Sequence, residues 1–156
     1  MKLSLVIFLL SILTFGQTKI TWFNIHYSSF KLFSNTDISI DHPESMFYPI
    51  NKKDKKQKAL AVIKMNLESN RDYKKNVYLS LEDYKEIEDK LLELNSKDIF
   101  NNLMCLDGYN LILTIGNQNS NTTFNVSCMQ SKDTNLHKVI NFILEKLNIK
   151  EKDFYK

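Results

Sequence analysis

The sequence predicts an α+β domain: an antiparallel sheet with two amphipathic helices packed on one face, preceded by a signal peptide. Three observations carry this. The first 16 of 156 residues run from a basic start through an apolar stretch to small side chains. The residues that follow are aromatic and β-branched with a period of two, as half-buried strands are. Two later stretches repeat apolar residues at three- and four-residue steps, as amphipathic helices do.

The chain opens MKLSLVIFLLSILTFGQ, with Lys2 as the positive region, residues 3–15 as the apolar run, and Thr14 and Gly16 at the small-residue positions a signal peptidase needs. Cleavage is predicted between Gly16 and Gln17. As a helix the run would rise about 20 Å, short of the ~30 Å hydrocarbon core, so a permanent anchor fits less well. Removing 16 of 156 residues leaves 140, residues 17–156, the size of a single domain that buries its own core. The formal charge is +3, and loss of Lys2 would make it +2. So mild a balance points to neither a nucleic-acid partner nor a membrane surface, and no further stretch reads as a membrane span. Three glycines, two prolines and no internal repeat exclude a low-complexity chain.

Residues 18–33 (TKITWFNIHYSSFKLF) read as a strand or strand pair in which Phe23, Ile25 and Tyr27 alternate with Trp22, Asn24 and His26. A second short strand fits residues 37–40, and DHPES at 41–45 ends it, because Pro43 cannot donate to a ladder. Ala59, Ala61, Ile63, Met65 and Leu67 keep one apolar face while Lys64, Asn66 and Glu68 point the other way: a strand with one face wet. Ser80 is the predicted N-cap of a helix over residues 81–94. Asp83 stands three residues on, Glu82 and Asp83 sit at the positive end of the dipole, and Tyr84, Ile87, Leu91 and Leu94 form the stripe. A short helical turn fits residues 97–103.

A hairpin follows, with its turn at residues 117–121. Leu111, Leu113 and Ile115 then share a face with Phe124, Val126 and Cys128, with Ile115 opposite Phe124 and Leu111 opposite Cys128. Asp133 or Thr134 caps a last helix striped by Leu136, Val139, Ile140, Ile143 and Leu147. The tail EKDFYK is charged enough to fray.

Cys105 and Cys128 are the chain's two cysteines. A straight path from Cys105 to Leu111 would span about 20 Å, too far for a bond to a partner opposite Leu111. Asp107 and Gly108 are turn formers that let the chain double back, so a disulfide between Cys105 and Cys128 is expected in an oxidising compartment. It would close a 24-residue loop, worth on the order of 3 kcal/mol from chain entropy. The alternatives are a redox pair or zinc ligands, whose spacings are not present, or two small buried apolar residues.

His26, His42 and His137 are the candidate imidazoles. With Asp37, Asp41 and Glu44, His42 would offer nitrogen and oxygen ligands to a metal; its plainer reading is a solvated turn. His26 on the wet side of a strand and His137 in a first helical turn read as surface or capping residues. No G-x-S-x-G, H-E-x-x-H or phosphate-cradling glycine loop occurs, so no catalytic, metal or cofactor site is assigned. Residues 51–58 (NKKDKKQK) would suit an anionic polymer, but read more simply as a solvated loop that guards the next strand. The aromatic set Trp22, Phe23, Tyr27, Phe30, Phe33, Phe47 and Tyr48 divides between core and surface. Trp22, Tyr27, Phe47 and Tyr48 are the candidate binding surface, on a sheet face without helices.

The order of leader, strands, the helix SLEDYKEIEDKLLEL, the stretch LDGYNLILTI and a closing amphipathic helix resembles small exported bacterial proteins of unknown function. That resemblance implies export and assigns no activity. Asn121 (N-T-T) and Asn125 (N-V-S) would be glycosylation acceptors only in a eukaryotic secretory pathway. The expected function is therefore a periplasmic or extracellular binding protein without chemistry of its own, with a protein or polysaccharide partner and no cofactor. The alternative is a secreted or periplasmic hydrolase whose catalytic set the sequence does not reveal. A concave pocket holding His26 or His42 with bonded carboxylates would favour the enzyme; an exposed aromatic face without one would favour the binder.

Overall fold

One of the two middle strands of the sheet is β1 (Trp22–Ser29), which buries Phe23, Ile25 and Tyr27 at every second residue, as suits a strand paired on both edges. The computed structural model describes residues 19–29, 34–49, 58–67, 71–94, 109–127 and 134–154. After β1 come β2 (Ser34–Asp41), β3 (Lys58–Leu67), β4 (Arg71–Ser80), helix α1 (Leu81–Leu92), β5 (Tyr109–Gly116), β6 (Asn121–Ser127), helix α2 (Asn135–Lys146) and a short helix α3 (Glu151–Phe154). The six strands pair antiparallel throughout in the order β4-β3-β2-β1-β5-β6. A meander runs outward from β1 to β4; the chain then passes through α1 and returns to add β5 and β6 on the other side of β1.

The register aligns one apolar row after another. Ile25 lies between Ile38 of β2 and Leu113 of β5, and Phe23 between Ile40 and Ile115. These residues form one contiguous core with Ile87 and Leu91 of α1 and with Leu136, Ile140 and Ile143 of α2. Lys146 of α2 joins the helices by ion pairs to Asp83 (2.6 Å) and Glu86 (2.7 Å) of α1. The Lys146 hydrogen bond, followed by that of Ser80, holds the Asp83 carboxyl below its usual range.

Caps set both helix starts. Ser80 Oγ accepts from Asp83 N (3.0 Å), and Thr134 Oγ1 accepts from His137 N (3.2 Å). At the end of α2, Asn148 takes the left-handed conformation (φ 54°), and the amides of Asn148 and Ile149 bond back to Glu145 O and Leu144 O. This is a Schellman turn, in which asparagine tolerates the conformation that other side chains avoid. It turns the chain so that α3 follows at once. The tail expected to fray is thus helical over Glu151–Phe154, and Phe154 is fully buried, its ring centroid 5.3 Å from that of Tyr27.

Other expectations change in detail. The second strand covers Ser34–Asp41 rather than residues 37–40, and α1 ends at Leu92 rather than at residue 94. Strand β4 was not expected from the sequence: its run of charged residues masks the period of two, and the exposed Lys74 and Lys75 are tolerated because β4 is an edge. In the β5–β6 hairpin Leu113, not Ile115, faces Phe124, and Leu111 faces Val126. The shift of two residues preserves which side chains face the core, since faces alternate with period two. The turn expected at 97–103, the leader, the lysine run up to residue 57, Phe30, Phe33, Cys105 and Cys128 lie outside the described residues.

The first described residues are held by α1. Ile20 N donates to Glu88 Oε1 (2.8 Å), and Tyr84 Oη donates to Ile20 O (3.1 Å). Burial, followed by the nearby Glu88 and Asp41 charges, pushes the Tyr84 phenol far above its usual range. Glu88→Ala should cost about 1–3 kcal/mol in urea unfolding, because it strips a buried amide of its acceptor. Glu88→Gln keeps a carbonyl there and should cost clearly less. Equal losses from the two variants would mean that the bond to Ile20 contributes little.

Candidate binding surface

The face of the sheet turned away from the core carries Trp22, Asn24 and His26 of β1, Asp37 and Ser39 of β2, Lys64 of β3, and Thr114 and Thr123 of the last hairpin. Most of these polar side chains bond across strands. His26 Nδ1 lies 2.7 Å from Asp37 Oδ1, Ser39 Oγ donates to Asn24 Oδ1 (2.5 Å), and the Thr114 and Thr123 hydroxyls are 3.1 Å apart. These side chains satisfy one another across the strands, with Leu60, Val62 and Ile112 standing in register on the same face.

Aromatic residues rise at one end of this face. Trp22 stands in register with Gly116 of β5. A Cβ on that glycine would lie 2.5 Å from Trp22 Cζ2, so the indole lies directly across the β5 backbone. Its Nε1 donates to Asn117 O (3.3 Å). Phe47 meets the indole at 89°, with ring centroids 5.6 Å apart, one of the arrangements that the ring quadrupoles favour.

Phe47 is carried by residues 42–49, which leave β2 where Pro43 ends the ladder. The segment is stitched down along its length. His42 N donates to Thr21 O (2.8 Å), Ser45 Oγ to Asp41 Oδ1 (3.1 Å), Gln118 Nε2 to Glu44 O (3.2 Å) and Tyr48 Oη to Lys58 O (2.9 Å). Lys19 pairs with Glu44, and that hydrogen bond holds the Glu44 carboxyl below its usual range. Met46 (61 % exposed) and Phe47 (60 %) therefore project from a fixed backbone rather than from a slack loop.

Gly116→Ala tests this geometry. The chain has one tryptophan, so its fluorescence reports this site alone. The added methyl should push the indole off the strand, shift its emission to the red and cost about 1–3 kcal/mol. An unchanged spectrum would mean that Trp22 does not lie on Gly116.

Of the four residues expected on the binding surface, the structure brings Trp22 and Phe47 into contact and leaves Tyr48 half-buried beside them, its hydroxyl on the β3 backbone. Tyr27 is corrected to a core residue: it is 3 % exposed, on the opposite face from Trp22, and packs on Tyr109 and Phe154. Strand parity already separates residues 22 and 27. Met46 and Gly116 are the parts of the site that sequence reasoning missed. A methionine beside a phenylalanine after Pro43 is a weak signal, and the glycine is meaningful only once β1 and β5 are known to pair.

The histidines do not converge. His42 is buried rather than in a solvated turn, its ring centroid 5.1 Å from that of Tyr84, and burial, followed by the Lys19 charge, holds its imidazole below its usual range. Its Nδ1 accepts from Glu44 N (3.2 Å), with the Glu44 carboxylate 3.9 Å away. His137 is also buried, 3.6 Å from Glu151. Asp37, Asp41 and Glu44 are each engaged elsewhere, by His26, Ser45 and Lys19 respectively. Among the described residues no three His, Cys, Asp or Glu side chains gather to hold a metal.

Grooves among the described residues include these two. One of about 300 Å³ runs between Met65 and Tyr73 of the sheet and Ile149 after α2; the other, about 340 Å³, lies between Leu94 and Val139. Neither contains a histidine. No described helix is long and apolar enough to cross a membrane. The chain matches no protein-family model and has no significant match among curated proteins.

Proposed function

We propose that the protein is an exported binding protein with no chemistry of its own, which engages a protein or polysaccharide through the Trp22–Phe47 end of the open sheet face. In this reading residues 1–16 direct export and are removed, leaving Gln17 as the first residue of a periplasmic or extracellular domain. The helices α1 and α2 cover one face of the sheet and leave the other for the partner, and a Cys105–Cys128 disulfide staples the β5–β6 region.

The observation that carries the reading is the exposed Met46–Phe47 tip on a hydrogen-bonded backbone, braced by Trp22. A soluble domain gains nothing in stability by holding two large apolar side chains in water, whereas an apolar anchor that is already ordered loses little entropy on binding. The hydrolase alternative has less support. Its nearest arrangement, His26 with Asp37, has both side chains partly exposed, and the neighbouring Ser39 hydroxyl is bonded to Asn24 rather than to the imidazole.

The test has two arms. Protein recovered from cells expressing the full chain should accumulate outside the cytoplasm with an intact mass starting at Gln17. Phe47→Ala should weaken retention of whatever co-purifies by at least about tenfold. Its melting should stay close to that of the parent, because a side chain so exposed contributes little to the core. A retained leader would sink the export claim, and undiminished co-purification by the variant would sink the site.

A further inference from the structure

The two edges of the sheet are protected very differently. β4 carries the exposed Lys74 and Lys75, charges of the kind that keep an edge from pairing with another chain. β6, NTTFNVS, has no charged residue and no proline along seven residues. It is an edge in the sheet order, and Asn121, Thr122, Thr123 and Asn125 are exposed. Phe124 faces the core side opposite Leu113, yet it is only partly buried. Among the described residues no strand pairs with its outer edge, so β6 offers ladder positions beside an incompletely covered aromatic ring.

We propose that β6 is a self-association surface, and that two copies of this chain pair β6 to β6 antiparallel about a two-fold axis at Phe124, continuing the sheet from one copy into the other. The strand's own pattern selects a second copy as the occupant. Pairing about residue 124 sets Phe124 against Phe124 of the second copy and Thr122 against its Val126. All of these face the helix side, since Thr122, Phe124 and Val126 pair with Ile115, Leu113 and Leu111. On the open side Thr123 meets Asn125 of the second copy. Every cross-strand pair is then β-branched, aromatic or small and polar, with no like charges opposed. The apolar row of one copy runs into that of the other, and the contact closes on itself. Pairing β6 to the β4 of another copy would instead oppose this row to the charged edge and build an open chain of molecules. The aromatic site at Trp22 is not involved, so the proposal does not depend on the proposed function.

Sedimentation equilibrium over a concentration series, on protein recovered from expression of the full chain, tests the proposal with two charge variants. Thr123→Lys with Asn125→Lys opposes lysines twice across the two-fold axis; Thr123→Glu with Asn125→Glu opposes glutamates twice. Both positions are exposed, and the only described side-chain bond lost is that of Thr123 to Thr114. Each variant should therefore melt near the parent. The parent should dimerise, each variant alone should associate at least about tenfold more weakly, and an equimolar mixture of the two should dimerise again, because lysine then faces glutamate. A parent that stays monomeric up to hundreds of micromolar, a dimer unaffected by either variant, or a mixture that fails to re-associate would overturn the proposal.

Discussion

Ile143→Asp is expected to lower the unfolding free energy by more than about 4 kcal/mol, a large share of the ~5–15 kcal/mol that holds a domain of this size together. Ile143 is fully buried in the core shared by α2 and the sheet. Aspartate there removes the apolar contact and leaves a carboxylate without a partner, which either stays charged at a high desolvation cost or takes up a proton. Ile87→Asp on α1 should behave alike, since that side chain too is fully buried. Urea unfolding followed by circular dichroism reads the loss. Unfolding at the midpoint of the parent by either variant would mean that its helix stripe faces water.

Phe154→Ala should cost about 3–5 kcal/mol, the usual range for a buried aromatic truncated to a methyl. The size of the effect is unexpected for a residue in a short, charged stretch beyond α2. It follows from the turn at Asn148, which brings α3 back so that Phe154 closes the core against Tyr27. Asn148→Val should act in the same direction through the backbone, because a β-branched residue resists the left-handed conformation. A loss below about 1 kcal/mol for Phe154→Ala would show that the last helix is only loosely attached.

These two sites also mark where the sequence was legible. The stripe through Ile87 and Leu91, and that through Ile140 and Ile143, are local patterns, as is the alternation of Phe23, Ile25 and Tyr27; each is visible because its period is fixed by the geometry of its own element. The burial of Phe154 is not local. A short charged hexapeptide with one phenylalanine looks like a frayed end until the preceding turn aims it at a gap near Tyr27. β4 was hidden for the opposite reason: a neighbour supplies its ladder, so its own composition could serve edge protection.

The hairpin register shows a third limit. Asn117 Oδ1 accepts from the amides of Asn119 and Ser120, and this side-chain bonding sets the loop between Gly116 and Asn121. Apolar matching alone allowed a register two residues away, because both place the same faces inward. At the candidate site, Trp22 and Phe47 were legible as aromatic residues near a sheet. Their contact was not, because it depends on Gly116, far along the chain, and on a loop stitched to Gln118 and Lys58. The burial of His42 has the same origin, since the Tyr84 ring against which it packs belongs to α1.

The central claim is that the Phe47 end of the open face meets a partner. Site-specific photo-crosslinking in the producing cells tests it most directly, with p-benzoylphenylalanine placed at position 47 or, as a control, at position 73, where the native tyrosine is also exposed. The binding reading predicts a discrete higher-mass adduct from position 47 in the compartment where the protein accumulates, and none of that mass from position 73. The same adducts from both positions, or none from position 47, would contradict it.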